Sequence, residues 1–128
     1  MNIIIIEDEA IVADDLEINI RNLISNASVI QLRSVKESVE YLKNNPLPDL
    51  IFSDIQLGDG LSFEIFVDAP VSVPVIFCTA YDEYALEAFK ANGIDYILKP
   101  FTKQTLELSL QKYHHLKTVF SPNQTPQF

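Results

Sequence analysis

The chain has 128 residues, 48% of them hydrophobic, which is one domain's length with enough apolar material for a core. Eighteen acidic residues against nine basic ones leave a net charge of −9 and no basic cluster, which argues against nucleic-acid binding by this chain alone. Apolar runs such as Ile3 to Ile6 are far too short to span a membrane, "MNIIIIED" lacks the basic region and cleavage site of a secretory signal, and the single Cys78 excludes an internal disulfide, so the cytoplasm is the expected compartment.

"NIIII" (2–6) predicts a strand buried on both faces. Residues 10–25 predict a helix, because Val12, Leu16, Ile20 and Leu23 fall on one face of a 3.6-residue period. "ASVIQL" (27–32) is a second strand. "SVKE" (34–37) has the form of a capping box, with Ser34 as N-cap and Glu37 reaching back. The helix it opens turns Val35, Val39 and Leu42 inward and ends near "NNPLP". "DLIFS" (49–53) is a third strand, "GDG" (58–60) a turn and "LSFEIF" a short helix, with the proline-containing "FVDAPVSVP" (66–74) after it. "VPVIFC" (73–78) is the fourth strand. "DEYALEAFKANG" (82–93) predicts a helix capped by Asp82 and stopped by Gly93. "IDYIL" (94–98) is the fifth strand and residues 102–117 the last helix. The polar tail is expected to be a linker or frayed end over 119–128, leaving one domain over 1–118.

Five apolar strands alternating with helices indicate a doubly wound parallel sheet covered on both faces. Ligands of such sheets sit beyond the carboxyl ends of the strands. The first strand delivers Glu7, Asp8 and Glu9 there, the third Asp54, the fourth Thr79 and the fifth Lys99. Taken singly each has a plainer role: the acids as helix caps, Asp54 as a turn residue, Thr79 and Lys99 as ordinary strand-end residues. Together, crowded carboxylates call for a cation, and Mg²⁺ suits a set of oxygen donors. A hydroxyl and an ammonium beside them suit phosphoryl transfer, with Asp54 able to act as nucleophile.

Other chemistries fit less well. A metal-dependent phosphatase with an aspartate nucleophile needs a second acid two residues on, where this chain has Gln56, an amide without proton-transfer capacity. An EF-hand in "DIQLGDG" fails because Asp59 stands where the loop needs glycine. Three glycines in all allow no phosphate-cradling glycine-rich loop. Cys78 reads as a core filler, and His114 and His115 as surface residues of the last helix.

"IIIIEDE", "DLIFSDIQLGDGLSFEIF" and "VPVIFCTAYDEYALEAFKANGIDYILKPF" resemble the receiver domains of two-component response regulators over residues 1–118. "TAYDEYALEAF" with "DYILKPF" is most similar to receivers of the LytTR (LytR/AlgR) class. A purely protein-binding relative of the same fold usually lacks one of the acids, the threonine or the lysine, and here all are present. The resemblance implies a flavodoxin-like, CheY-like sheet of order 2-1-3-4-5. It implies that Asp54 is the phosphoacceptor and that Mg²⁺ is held by Asp8 directly, by Glu7 through water, by Asp54 and by the backbone carbonyl of Gln56. It implies that Thr79 and Lys99 bind the phosphoryl group, that Tyr96 is the aromatic switch and that Lys99-Pro100 is a cis peptide. A sensor histidine kinase is then the phosphodonor, a homodimer through the face of the fourth helix, fifth strand and fifth helix the activated form, and a DNA-binding LytTR-type domain, absent from this chain, the output. Such a domain is not classed as an enzyme. The chain departs from the family's commoner pattern at Glu7, where aspartate is more usual. Gln56 and Tyr81 occupy the two positions that tune dephosphorylation in the family.

Overall fold

The four isoleucines of the first strand divide between the two faces of a sheet. The computed structural model describes residues 1–119, and for Phe89 and Val119 the backbone only. Strand β1 (Asn2–Ile6) turns Ile3 and Ile5 toward helices α1 (Ala10–Leu23) and α5 (Lys103–Val119), where they meet Ala13, Leu16, Ile20, Leu106, Leu110 and Tyr113. Ile4 and Ile6 face the other side and pack with residues of α2 (Val35–Asn44), α3 (Phe63–Asp68) and α4 (Ala85–Lys90): Val35 and Leu42, Ile65, and Ala88. Alternation along one strand therefore serves two cores, as a sheet covered on both faces requires.

The remaining long strands are β2 (Ser28–Leu32), β3 (Leu50–Ser53), β4 (Val75–Thr79) and β5 (Gly93–Leu98). All pair in parallel, in the order β2-β1-β3-β4-β5, which is the expected 2-1-3-4-5 arrangement. Ile6 lies beside Ser53, Ser53 beside Phe77, and Thr79 beside Leu98. That register ends β1 and β3 level and lets β4 and β5 run about two residues further, so the residues that follow them share one edge of the sheet.

Several local expectations shift by a residue or more. Ala13, not Val12, is the fully buried residue in the first turn of α1. Ser34 does cap α2 by accepting from the Glu37 N–H at 3.0 Å, but the Glu37 carboxylate accepts from Arg33 N, one residue before the box would place it. Two further acceptors come from Asp59, which takes the Val35 and Lys36 N–H groups at 2.8 and 3.0 Å. The turn around Gly58 is the tip of a small antiparallel hairpin, Gln56–Leu57 with Gly60–Leu61. Helix α4 is shorter than the predicted 82–93 and begins after Tyr84 rather than Asp82. Gly93 does not stop it: Asn92 takes the left-handed backbone at φ 63° and its amide holds the Val71 carbonyl at 2.9 Å. Gly93 opens β5, where a Cβ would come within 2.4 Å of the Ala88 carbonyl oxygen. Of the predicted tail, residue 119 ends α5 and 120–128 lie outside the described residues.

Candidate functional site

The loops that leave β1, β3 and β5 bring three of the predicted residues into direct contact. Asp54 N–H donates to the Ile6 carbonyl at 2.9 Å, and Lys99 N–H to the Thr79 carbonyl at 2.8 Å, so both backbones are locked to the sheet before their side chains diverge from it. The Lys99 ammonium then reaches across three strands. It donates to Glu7 Oε1 at 2.6 Å and to Asp54 Oδ2 at 2.8 Å. Backbone N–H groups take the other oxygens: Glu9 N–H meets Glu7 Oε2 at 3.2 Å, and Ile55 N–H meets Asp54 Oδ1 at 2.6 Å. Glu7 is only 3% exposed.

Burial dominates the electrostatics. Desolvation pushes the Glu7 carboxyl up to about 7, against the opposing pull of Lys99 and the Glu9 N–H. Burial also works against the Lys99 charge, but its hydrogen bonds to Asp54 and Glu7 outweigh that and hold the ammonium above its usual range. The ammonium is thus the counter-ion that permits a buried carboxylate beside Asp54. Asp8 and Glu9 lie on the exposed side of Glu7, and one carboxylate oxygen from each of the three lies within 4.8 Å of the others. Gly58 leaves room there, since a Cβ on it would lie 3.9 Å from Asp8 Oδ2. Oxygen donors of this kind suit a hard divalent cation such as Mg²⁺.

Thr79 is fully buried at the end of β4, its hydroxyl accepting from the Tyr81 N–H at 3.4 Å. The Tyr96 hydroxyl donates to the Tyr81 carbonyl, so Thr79 and Tyr96 grip the same residue from two sides. Gln56, in the hairpin, donates from its side-chain amide to the Tyr84 hydroxyl at 3.2 Å. Lys99-Pro100 is cis, as expected. Cys78 is buried and its thiol is pushed up to about 12 by desolvation, in keeping with a core filler.

Two participants were not singled out from sequence. Arg33 donates to the Glu7 carbonyl at 3.3 Å, and Tyr84 holds Gln56. Neither carries a local pattern, because both act across strand and helix boundaries.

The family described as the response regulator receiver domain matches residues 3–111. The sensory transduction protein LytT of Bacillus anthracis is 34% identical over 120 residues, 91% of this chain and 48% of that protein. The transcriptional regulatory protein LytR of Staphylococcus aureus (strain N315) is 33% identical over 120 residues, again 91% of this chain and 48% of that one. The chain thus spans about half the length of the curated relatives it matches. Among solved structures, the response regulatory domain of protein mrkE from Klebsiella pneumoniae superposes with a TM-score of 0.77 at 30% identity, covering 91% of this chain and 97% of that one. Among the described residues no helix is long and apolar enough to cross a membrane.

Proposed function

Since the chain belongs to the response regulator receiver domains, with LytT and LytR proteins among its relatives, we propose that it accepts a phosphoryl group on Asp54 and converts that event into a change of surface. Receiver domains are signalling domains rather than enzymes, and the donor is a phosphohistidine on a sensor kinase. The observation that carries this is the Lys99 ammonium held between Asp54 and Glu7. A carboxylate paired with a mobile cation is a nucleophile whose product charge already has a partner.

In the transfer, an Asp54 carboxylate oxygen bonds to phosphorus, the P–N bond to the kinase imidazole breaks, and the imidazole leaves as the neutral base after taking a proton. Lys99 turns from the carboxylates to a phosphoryl oxygen. Glu7, Asp8, Asp54 and the backbone carbonyl of Gln56 are the residues that would hold Mg²⁺, which when bound neutralises charge on the phosphoryl oxygens. Thr79 donates its hydroxyl to another phosphoryl oxygen, and in moving toward it draws away from the Tyr81 N–H, from which it accepts at 3.4 Å. Tyr81 is also where the Tyr96 hydroxyl is anchored, so its release lets the Tyr96 ring turn inward.

The receiver occupies 1–118 and is cytoplasmic. We place its output in a DNA-binding domain of LytTR type outside this chain, because the relatives are about twice as long and one is named a transcriptional regulator. The domain itself does not contact nucleic acid, in line with its net charge of −9. Leu86 of α4, Leu98 of β5 and Leu108 of α5 are 66%, 49% and 57% exposed, apolar surface on each of the three elements through which activated copies pair.

Phosphorylation is tested by incubation with phosphoramidate and Mg²⁺, followed by intact mass. One phosphoryl adduct is expected, absent in Asp54→Asn and suppressed by EDTA. An adduct that survives either change refutes the assignment.

A further inference from the structure

Among the described residues the Gln56 side chain has one hydrogen-bond partner, and it is not in the acid cluster. Its backbone is fixed by pairing with Leu61 in the hairpin, so only side-chain rotation can redirect its amide. That amide donates to the Tyr84 hydroxyl at 3.2 Å, 28 residues away in sequence. Tyr84 is itself well held. Its ring lies 6.1 Å from Phe63 and 6.5 Å from Tyr81, edge-on to the latter, and its backbone forms the N-cap of α4. Gln56 follows Asp54 by two residues, so no more than about 7 Å of chain separates their Cα atoms.

We infer that Tyr84 is a positioning residue that sets how long a phosphoryl group stays on Asp54, by holding the Gln56 amide away from it; this rests on the phosphoacceptor function proposed above. Loss of the group requires a water. Its oxygen bonds to phosphorus, the bond between phosphorus and the Asp54 oxygen breaks, the carboxylate is restored, and the protons of the water pass to the departing phosphate and to solvent. A carboxamide can orient such a water, since it offers donors and an acceptor on one planar group. While Gln56 is tied to Tyr84, the amide points to α4. Severing the tie frees it to turn toward the acyl phosphate.

The size of the effect follows from the tie. A neutral hydrogen bond contributes on the order of 1 kcal/mol, which is about a fivefold change in the population of the freed amide and hence in the hydrolysis rate. The ring packing on Phe63 and Tyr81 survives Tyr84→Phe, because only the hydroxyl is removed.

The experiment uses the chain phosphorylated with phosphoramidate in Mg²⁺, freed of donor, and followed by intact mass against time. Wild type and Tyr84→Phe must both take up one group; if wild type does not, the phosphoacceptor function fails and not this inference. Tyr84→Phe is expected to lose the group about fivefold faster, and the acceleration is expected to vanish in Gln56→Ala/Tyr84→Phe. An unchanged lifetime in Tyr84→Phe, or an equal acceleration in the Gln56→Ala background, overturns it. Should Tyr84→Phe fail to fold, Gln56→Ala decides alone: a lifetime equal to or longer than wild type agrees, a shorter one overturns.

Discussion

Replacing Lys99 by methionine removes the one cation between two buried carboxylates while keeping most of the side-chain volume. In the wild type its ammonium lies 2.6 Å from Glu7 Oε1 and 2.8 Å from Asp54 Oδ2. Those two oxygens are therefore no further apart than the sum of the distances, about 5.4 Å. At an effective dielectric of about 20, two unit negative charges at that separation repel by about 3 kcal/mol. Their side chains are only 4% and 10% exposed, so solvent screens little of this. Protonation of Glu7, whose carboxyl loses the downward pull of Lys99, lowers the figure, and Lys99→Met is expected to cost about 2–3 kcal/mol, or roughly 10 °C in melting temperature for a domain of this size. The measurement is thermal or urea unfolding of both proteins in low salt at pH 8, above the value of about 7 to which burial pushes the wild-type Glu7 carboxyl. Millimolar Mg²⁺ is expected to recover more stability in the variant than in wild type, because a cation returns to carboxylates that lack one. Equal stability of the two proteins without Mg²⁺, or an identical gain from it, refutes the claim that Lys99 neutralises this pair.

Asp59→Ala removes two acceptors from the first turn of α2 and is expected to cost about 1 kcal/mol in urea unfolding at pH 7. The Val35 and Lys36 N–H groups hold the Asp59 carboxyl below its usual range, so its contribution is present above the unfolded-state pKa and is lost as pH falls through the folded one. The difference between variant and wild type should accordingly close in acid. Gly93→Ala drives a methyl into the Ala88 carbonyl at 2.4 Å, with Phe77 at 3.2 Å behind it, and is expected to cost about 2–3 kcal/mol by the same assay, since backbone cannot yield as a side-chain tip can. Beryllofluoride with Mg²⁺ is expected to raise the sedimentation coefficient of the wild type to that of a dimer, and Lys90→Glu on α4 or Thr79→Ala to prevent it; dimers that persist in both variants refute the proposed face.

The alternation of apolar strands and helices, the two-faced burial of Ile3 to Ile6 and the delivery of acids, hydroxyl and ammonium to strand ends were all legible in the chain, because each rests on neighbours within a few residues or on a period that repeats locally. The same local chemistry fails where two choices look alike from nearby. Asp82 and Tyr84 both stand before a helical run, and packing of the Tyr84 ring on Phe63 and Tyr81 decides for Tyr84. Asn92 and Gly93 both tolerate a left-handed backbone. The close Ala88 carbonyl reserves the glycine for the strand and leaves the turn to Asn92, whose amide is held by Val71. What tertiary structure alone settles is which polar group meets which. Lys99 and Glu7 are 92 residues apart, Asp59 reaches the helix start 24 residues before it, and Gln56 finds Tyr84 across 28. No local pattern encodes these partners. The first exists because parallel pairing brings the strand ends to one edge, where burial makes an unpaired charge too costly to leave alone; the other two exist because the hairpin after β3 is folded against the starts of α2 and α4.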